Sequence, residues 1–248
     1  VTDFKLSYYG SVLGFLWSLV RPLMMFAVLF FVFTEIFKVG DKVHDYGVIL
    51  LTNIVLFSFF SEATSASVQS IVAKEQLVRK MHFPRLVIPL ATVLTAFYNL
   101  VLSLIVVFVF IIAVGVTPMW SWLLLPLILL PLLLLALGAS MLLSSAYVRY
   151  RDVMPIWTVA TTALLYASAV IWVVELAPEQ WRKWVMLNPL AAIFQQARIW
   201  LIDPSAESPL AYIGGLPWVL VPIFIVIGAM VVGFTVFHRS APRVAEEL

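Results

Sequence analysis

Glu62 is the one acid set deep inside an apolar stretch of this sequence. Counted from Ser58, the residues Ser58, Glu62, Ser65 and Gln69 fall at i, i+4, i+7 and i+11, the spacing of one helical face. An ionisable group inside a membrane span is costly, and such groups face a bundle interior, a partner or a water-filled path. A carboxylate among hydroxyls and an amide can trade hydrogen bonds with a hydroxylated solute. Its plainer role is a hydrogen bond tying two helices together. It does not make a general acid–base pair, because no second deep acid accompanies it.

Two sets of rings stand near that face. Phe26, Phe30, Phe33 and Phe37 recur at i, i+4, i+7 and i+11 in the first apolar stretch, and Phe57 and Phe60 lie just before Glu62 in the second. Such a stripe either packs against neighbouring helices or lines a path. A third cluster is basic. Lys74, Arg79, Lys80 and Arg85 surround one acid, Glu75, in a segment ending at Phe83-Pro84. Residues 73–81 read as a short helix, closed because proline disfavours helix in the residue before it. This elbow is either a basic flank of two spans or a transverse helix that docks on a soluble partner.

Other chemistry is excluded by what the sequence lacks. There is no Walker A, GxGxxG or HExxH sequence, so the chain has no nucleotide loop or zinc helix of its own. Cysteine is absent, and His44, His82 and His238 are scattered near span ends. No catalytic residue, metal site or cofactor is expected in this chain, and a net charge of only +2 gives no reason to expect nucleic acid.

The elements that must position these residues are membrane helices. Of the 248 residues, 63% are hydrophobic and 11% charged, against about a quarter charged in a soluble domain. The expected fold is all-α: one polytopic transmembrane domain over residues 1–248 with six spans. These run near residues 18–38, 47–72, 87–116, 123–147, 155–174 and 216–237. Residues 1–17 read as an interface helix, rich in Tyr and Trp but not apolar enough to span. Residues 175–215 hold two amphipathic helices, split at Asn188-Pro189 and each too short to cross about 30 Å of hydrocarbon. They read as a re-entrant pair. Six spans place both termini on one side. Lys5, Arg21, Lys74, Arg79, Lys80, Arg85, Arg149, Arg151, Arg239 and Arg243 fall there, against Lys38, Lys42, Arg182, Lys183 and Arg198 on the other side. The excess predicts cytoplasmic termini.

In this order along the chain, five motifs resemble those of ABC-2-type permeases that export polysaccharides. They are Ser11-Val12-Leu13-Gly14-Phe15-Leu16-Trp17-Ser18 with Arg21-Pro22-Leu23, then Phe59-Phe60-Ser61-Glu62, the elbow Leu77 to Arg85, Tyr150-Arg151-Asp152-Val153, and Leu187-Asn188-Pro189-Leu190. The resemblance implies the transmembrane subunit of an ATP-driven exporter in a bacterial plasma (inner) membrane. Its cargo would be a lipid-linked polysaccharide such as O-antigen or teichoic acid. It implies a homodimer joined to two copies of a cytoplasmic ATPase, which binds ATP and Mg. Residues 73–85 would be the coupling helix, with Glu75, Leu77, Arg79, Lys80, His82, Phe83 and Arg85 at the ATPase interface. The channel would lie between protomers, along the first, second and fifth spans. Candidate channel residues are Phe26, Phe30, Phe33, Phe57, Phe60 and Glu62, since rings stack on sugar faces and a carboxylate bonds hydroxyls. An exporter of lipids or small drugs is the alternative within this family, and a membrane-bound transferase the alternative outside it.

Overall fold

A computed structural model describes residues 16–41, 43–74 and 85–240. The interface stretch up to residue 15 and elbow residues 75–84 lie outside the described residues, and with them Glu75, Leu77, Arg79, Lys80, His82 and Phe83.

The described chain is all helix and turn. Five helices are long and apolar enough to cross a membrane. We name the helices α1 (Leu16–Phe31), α2 (Tyr46–Val68), α3 (Ser70–Ala73), α4 (Val87–Ala113), α5 (Leu125–Arg149), α6 (Val153–Ala167), α7 (Glu179–Met186), α8 (Pro189–Leu201), α9 (Pro209–Ile213) and α10 (Leu216–Ser240). The spanning five are α1 with its extension, α2, α4, α5 with the turn before it, and α10. A bilayer leaves backbone groups no water to bond, so helices that close their own hydrogen bonds are the expected solution.

The bundle is built on α2. It is buried along nearly its whole length, with Leu50, Leu51, Ile54, Leu56 and Ala63 each at most 1% exposed. Helices α1, α4, α5, α6 and α8 pack around it, and α10 packs on the far side of α5. Its buried hydroxyls are satisfied within the helix. Thr52, Thr64 and Ser67 donate to the carbonyls of Val48, Phe60 and Ala63 at 2.7–2.8 Å. That bonding lets hydroxyls sit in the centre of a membrane bundle at little cost.

Two departures from regular helix matter. The first span continues past Phe31 as a π-helical turn, Val32–Ile36, closed by Phe37 N–H donating to the Val32 carbonyl at 3.1 Å. The extra residue shifts the ring stripe between Phe30 and Phe33, so the four phenylalanines form two pairs, Phe26 on Phe30 and Phe33 on Phe37, each with centroids 5.4 Å apart.

The second departure is in the fifth span. The sequence pattern reads as helix to Val174, but α6 stops at Ala167 and residues 168–173 are non-helical. Ala169 sits at φ +52°, which turns the chain out of the helix. The buried backbone of this strap is held by side chains from elsewhere. Tyr46 Oη donates to the Ile171 carbonyl at 2.7 Å, and Asn53 Nδ2 reaches the carbonyls of Ala169 and Val170 at 3.4 and 3.5 Å. Asn188 Nδ2 donates to Ser168 Oγ at 2.9 Å.

After the strap, α7 and α8 form a short helical hairpin. Asn188 caps α8 by accepting from Leu190 N–H at 3.0 Å, and Pro189 fills the first position, where a missing N–H costs nothing. At the other end of α8, the carbonyls of Trp200 and Leu201 accept from Ser121 Oγ and Trp122 Nε1 at 2.5 and 3.1 Å. The hairpin therefore occupies one end of the bundle, beside the turn that precedes α5. We call this the hairpin end. The opposite end carries Lys74, Arg85, Arg149 and Ser240.

Candidate functional site

A cavity of about 540 Å³ opens along one side of the bundle, lined by residues of α1, α2, α4 and α6. Helix α2 supplies Phe57, Ser58, Ser61, Glu62 and Ser65; α4 supplies Asn99 and Ser103; α6 supplies Thr161 and Thr162; α1 supplies Trp17, Arg21, Pro22 and Met25. The wall therefore mixes hydroxyls, one amide, one acid and one guanidinium with a few large rings. These elements correspond to the first, second, third and fifth spans read from the sequence.

Glu62 is exposed to this cavity. Asn99 Nδ2 donates to Glu62 Oε1 at 2.6 Å, tying α2 to α4 across 37 residues of sequence. Asn99 itself is buried, at 3% exposure, so the bond is sheltered while the rest of the carboxylate faces the open space. Of the polar face read from the sequence, Ser58, Glu62 and Ser65 line the cavity and Gln69 lies beyond it.

The ring candidates separate. Phe57 lines the cavity. Phe60 is 3% exposed and packs edge-on to Trp157 at 6.2 Å, with Phe57 at 6.5 Å on its other side. Trp157 is fixed in turn, donating from Nε1 to Thr64 Oγ1 at 3.1 Å. Phe26 stands edge-on to Phe110 of α4 at 5.6 Å, and Phe33 lies 6.3 Å from Tyr46. Phe30 crosses above Gly47, where a Cβ would come within 2.7 Å of its ring. Within one protomer, Phe26, Phe30 and Phe33 are thus turned toward α2 and α4, and α1 meets the cavity through Trp17, Arg21, Pro22 and Met25 instead. Of the elbow, Arg85 is described and stands half-buried just before α4.

The sequence reading missed Asn99 and Ser103. Their signal was present: Thr92, Thr95, Asn99 and Ser103 recur at i, i+3, i+7 and i+11 through an otherwise apolar span.

A second polar cluster lies at the hairpin end. Arg198 on α8, with its side chain 9% exposed, pairs with Glu175 at 2.7 Å and Asp203 at 3.4 Å. Arg182 donates to the carbonyls of Glu175 and Ala177, which holds the turn after the strap against α7. Burial pushes the Asp203 carboxyl up, but hydrogen bonds from Ser205 and the charge and hydrogen bond of Arg198 outweigh it, so the group titrates below the usual carboxylate range. The cluster clamps the hairpin to the loops on either side of it. Among the described residues no group of His, Asp and Glu could hold a metal ion.

Comparison with known proteins agrees with this architecture. The chain is 28% identical over 247 residues to an O-antigen export system permease protein RfbA of Klebsiella pneumoniae, covering 99% of this chain and 92% of that protein. It is 26% identical to another Klebsiella pneumoniae protein of the same name, with the same coverage. A Myxococcus xanthus protein of that name is 27% identical over 218 residues, covering 84% of this chain and 82% of the relative. The model of the ABC-2 type transporter family matches residues 2–202. A multi-pass helical chain that matches this model over most of its length belongs to the ABC-2 type transporter family.

Proposed function

We propose that this chain is the membrane permease of an ATP-driven exporter that carries an O-antigen-type polysaccharide on a lipid carrier across the bacterial inner membrane. The observation that carries the reading is the cavity wall. Hydroxyls of Ser58, Ser61, Ser65, Ser103, Thr161 and Thr162 stand beside the Glu62–Asn99 pair and the rings of Trp17 and Phe57. Sugar hydroxyls match the first set, and the C–H faces of sugar rings match the second. A polymer that slides needs many weak, similar contacts, since one tight site would hold it in place. The names of the relatives support the same substrate class.

Two copies of the chain enclose the path in this reading, because one protomer leaves the cavity open along its side. Helices α1 and α6 flank the opening and carry exposed apolar residues such as Met24, Val28, Ile156 and Val159. A second copy covers these faces. Two copies of a separate ATPase bind ATP and Mg, and the basic elbow of residues 74–85 couples to them. The hairpin end then faces outward and the termini lie in the cytoplasm, in keeping with the excess of basic residues on the terminal side.

The test is export with assembly measured alongside. Cells lacking this permease should accumulate lipid-linked glycan on the cytoplasmic face and regain surface polymer when the wild-type chain is restored. Because the chain has no cysteine, single cysteines at Val78 or His82 give clean cross-linking sites. Surface polymer that persists without the permease would refute the substrate class. Cross-linking of the ATPase to Gly40 at the hairpin end, with none at either elbow position, would reverse the proposed orientation.

A further inference from the structure

The side of the bundle away from the cavity carries a second concavity, of about 480 Å³, lined by α5, α8, α9 and α10. It shares no helix with the cavity around Glu62. Its origin lies in how α5 and α10 meet. The two helices touch backbone to backbone where Gly138 faces Ala229 and Gly233. The groove lies on the hairpin-end side of that contact, between residues 127–134 of α5 and residues 219–227 of α10. Both helices are membrane spans, so the medium at the groove's mouth is hydrocarbon. Its wall is apolar except for the Trp200 indole N–H, Ser208, whose hydroxyl accepts from Ala211 N–H, and Gln196, whose amide has no hydrogen-bond partner among the described residues.

Shape and chemistry select the occupant. The stretch of α5 from Leu127 to Leu134 is about 10 Å long. The groove is open on one side, and a segment of a hydrocarbon chain can lie along it. Gln196 is one turn of α8, about 6 Å along the axis, from Trp200. Trp200 is held beside Ser121 and Trp122 at the hairpin end, and tryptophans are the residues favoured at headgroup depth. At that depth a glycerolipid presents its ester carbonyls, which are acceptors for an amide N–H. The hydrocarbon of an isoprenoid carrier presents none.

We propose that the groove binds one acyl chain of a diacyl glycerolipid from the leaflet at the hairpin end, with its ester carbonyl accepting from the Gln196 amide. The lipid is a wedge between α5 and α10 and a support for α8. This assignment does not depend on what the cavity carries.

The full-length chain is purified in mild detergent from a phosphatidylethanolamine and phosphatidylglycerol membrane, and retained lipid is counted by native mass spectrometry. One glycerolipid per chain is expected to stay bound. Ala192→Trp and Ile223→Trp fill the groove from opposite walls and should each lower retention at least tenfold while the protein stays monodisperse. Gln196→Leu should lower it severalfold. A diether analogue should be held by the wild type as weakly as the diester lipid is held by Gln196→Leu. Equal retention by both tryptophan variants overturns the proposal, as does no retained lipid in the wild type. Displacement of the glycerolipid by equimolar polyprenyl phosphate also overturns it, by giving the groove to an isoprenoid. Loss of dimers in both tryptophan variants would give it to a second copy.

Discussion

Gly138 of α5 and Gly233 of α10 meet with no side chain between them: a Cβ on Gly233 would collide with the Gly138 carbonyl, and a Cβ on Gly138 would come within 2.5 Å of the Ala229 backbone. In a membrane, helices associate by close packing, because lipid tails are as apolar as leucine. These two glycines are therefore what allows α10 to dock. We predict that Gly233→Val destabilises the protein by about 1–3 kcal/mol, the usual cost of overpacking. Gly228, with open space around its Cβ position, should accept alanine with little effect. Thermal unfolding in detergent compares the two variants. Equal melting temperatures would show that α10 can shift to absorb the added volume.

The Glu62–Asn99 bond gives a second prediction. Asn99→Ala removes the donor and leaves the carboxylate to the cavity alone, at a cost of about 1–3 kcal/mol and a melting temperature lower by a few degrees. Asn99→Asp places a second carboxylate against the first and should be the worse variant. Surface polymer normalised to permease abundance should fall severalfold in both. Unchanged export from a fully abundant Asn99→Asp protein would remove the pair from the transport path.

Arg198 is the hub of the clamp at the hairpin end. Replacing it with methionine keeps much of its volume and strands Glu175 and Asp203 without their cation. Breaking a buried pair costs about 3–5 kcal/mol. Because both carboxylates are partly solvated, the low end, about 3 kcal/mol, is expected. Protease cleavage within residues 203–208 should appear first, since those residues join α8 to α9. Wild-type protease resistance in Arg198→Met would mean that packing alone holds the hairpin.

The Asp203 carboxyl fixes the pH dependence of that clamp. Its folded-state pKa is lowered, so its stabilising contribution is present above the unfolded value and is lost as pH falls through the folded value. With an ordinary Asp titrating near pH 3.9, the Asp203 contribution should be constant from pH 7 to about pH 5 and fade only below about pH 4. Asp203→Asn should flatten the acid limb of the stability curve. A loss centred near pH 6 that vanishes in Asp203→Asn would contradict the assignment.

The all-helical class and the acid-bearing face were readable from the sequence, because apolar runs and 3.6-residue spacing are local properties; of the six spans expected, five helices are long and apolar enough to cross, and the fifth, α6, is shorter. The face of Ser58, Glu62 and Ser65 was found that way. What the sequence could not tell was which neighbour each face meets. Phe26, Phe30 and Phe33 form a stripe, but their contacts with α2 and α4 are decided by partners far along the chain, and the π-helical turn at Val32–Ile36 carries no local signature. The early end of α6 is of the same kind. Residues 170–174, Val-Ile-Trp-Val-Val, look like more span, and hydrogen bonds from Tyr46 and Asn53, more than a hundred residues away, help make a backbone without α-helix tolerable there.

The strap formed by residues 168–173 bears on the cell's energy supply. Along α2 the cavity occupies residues 55–66, and the strap crosses at Tyr46 to Asn53, between the cavity and the hairpin end. A bacterial membrane holds a voltage and a proton gradient, and a polar path across it would drain both. The strap places apolar side chains, Val170, Ile171 and Val173, across the end of that path, each at most 4% exposed. It also occupies the carbonyls of Ala169, Val170 and Ile171, which would otherwise be footholds for a file of water. On the proposed reading of the cavity, the strap would insulate it within each protomer, so that an idle transporter would not leak ions.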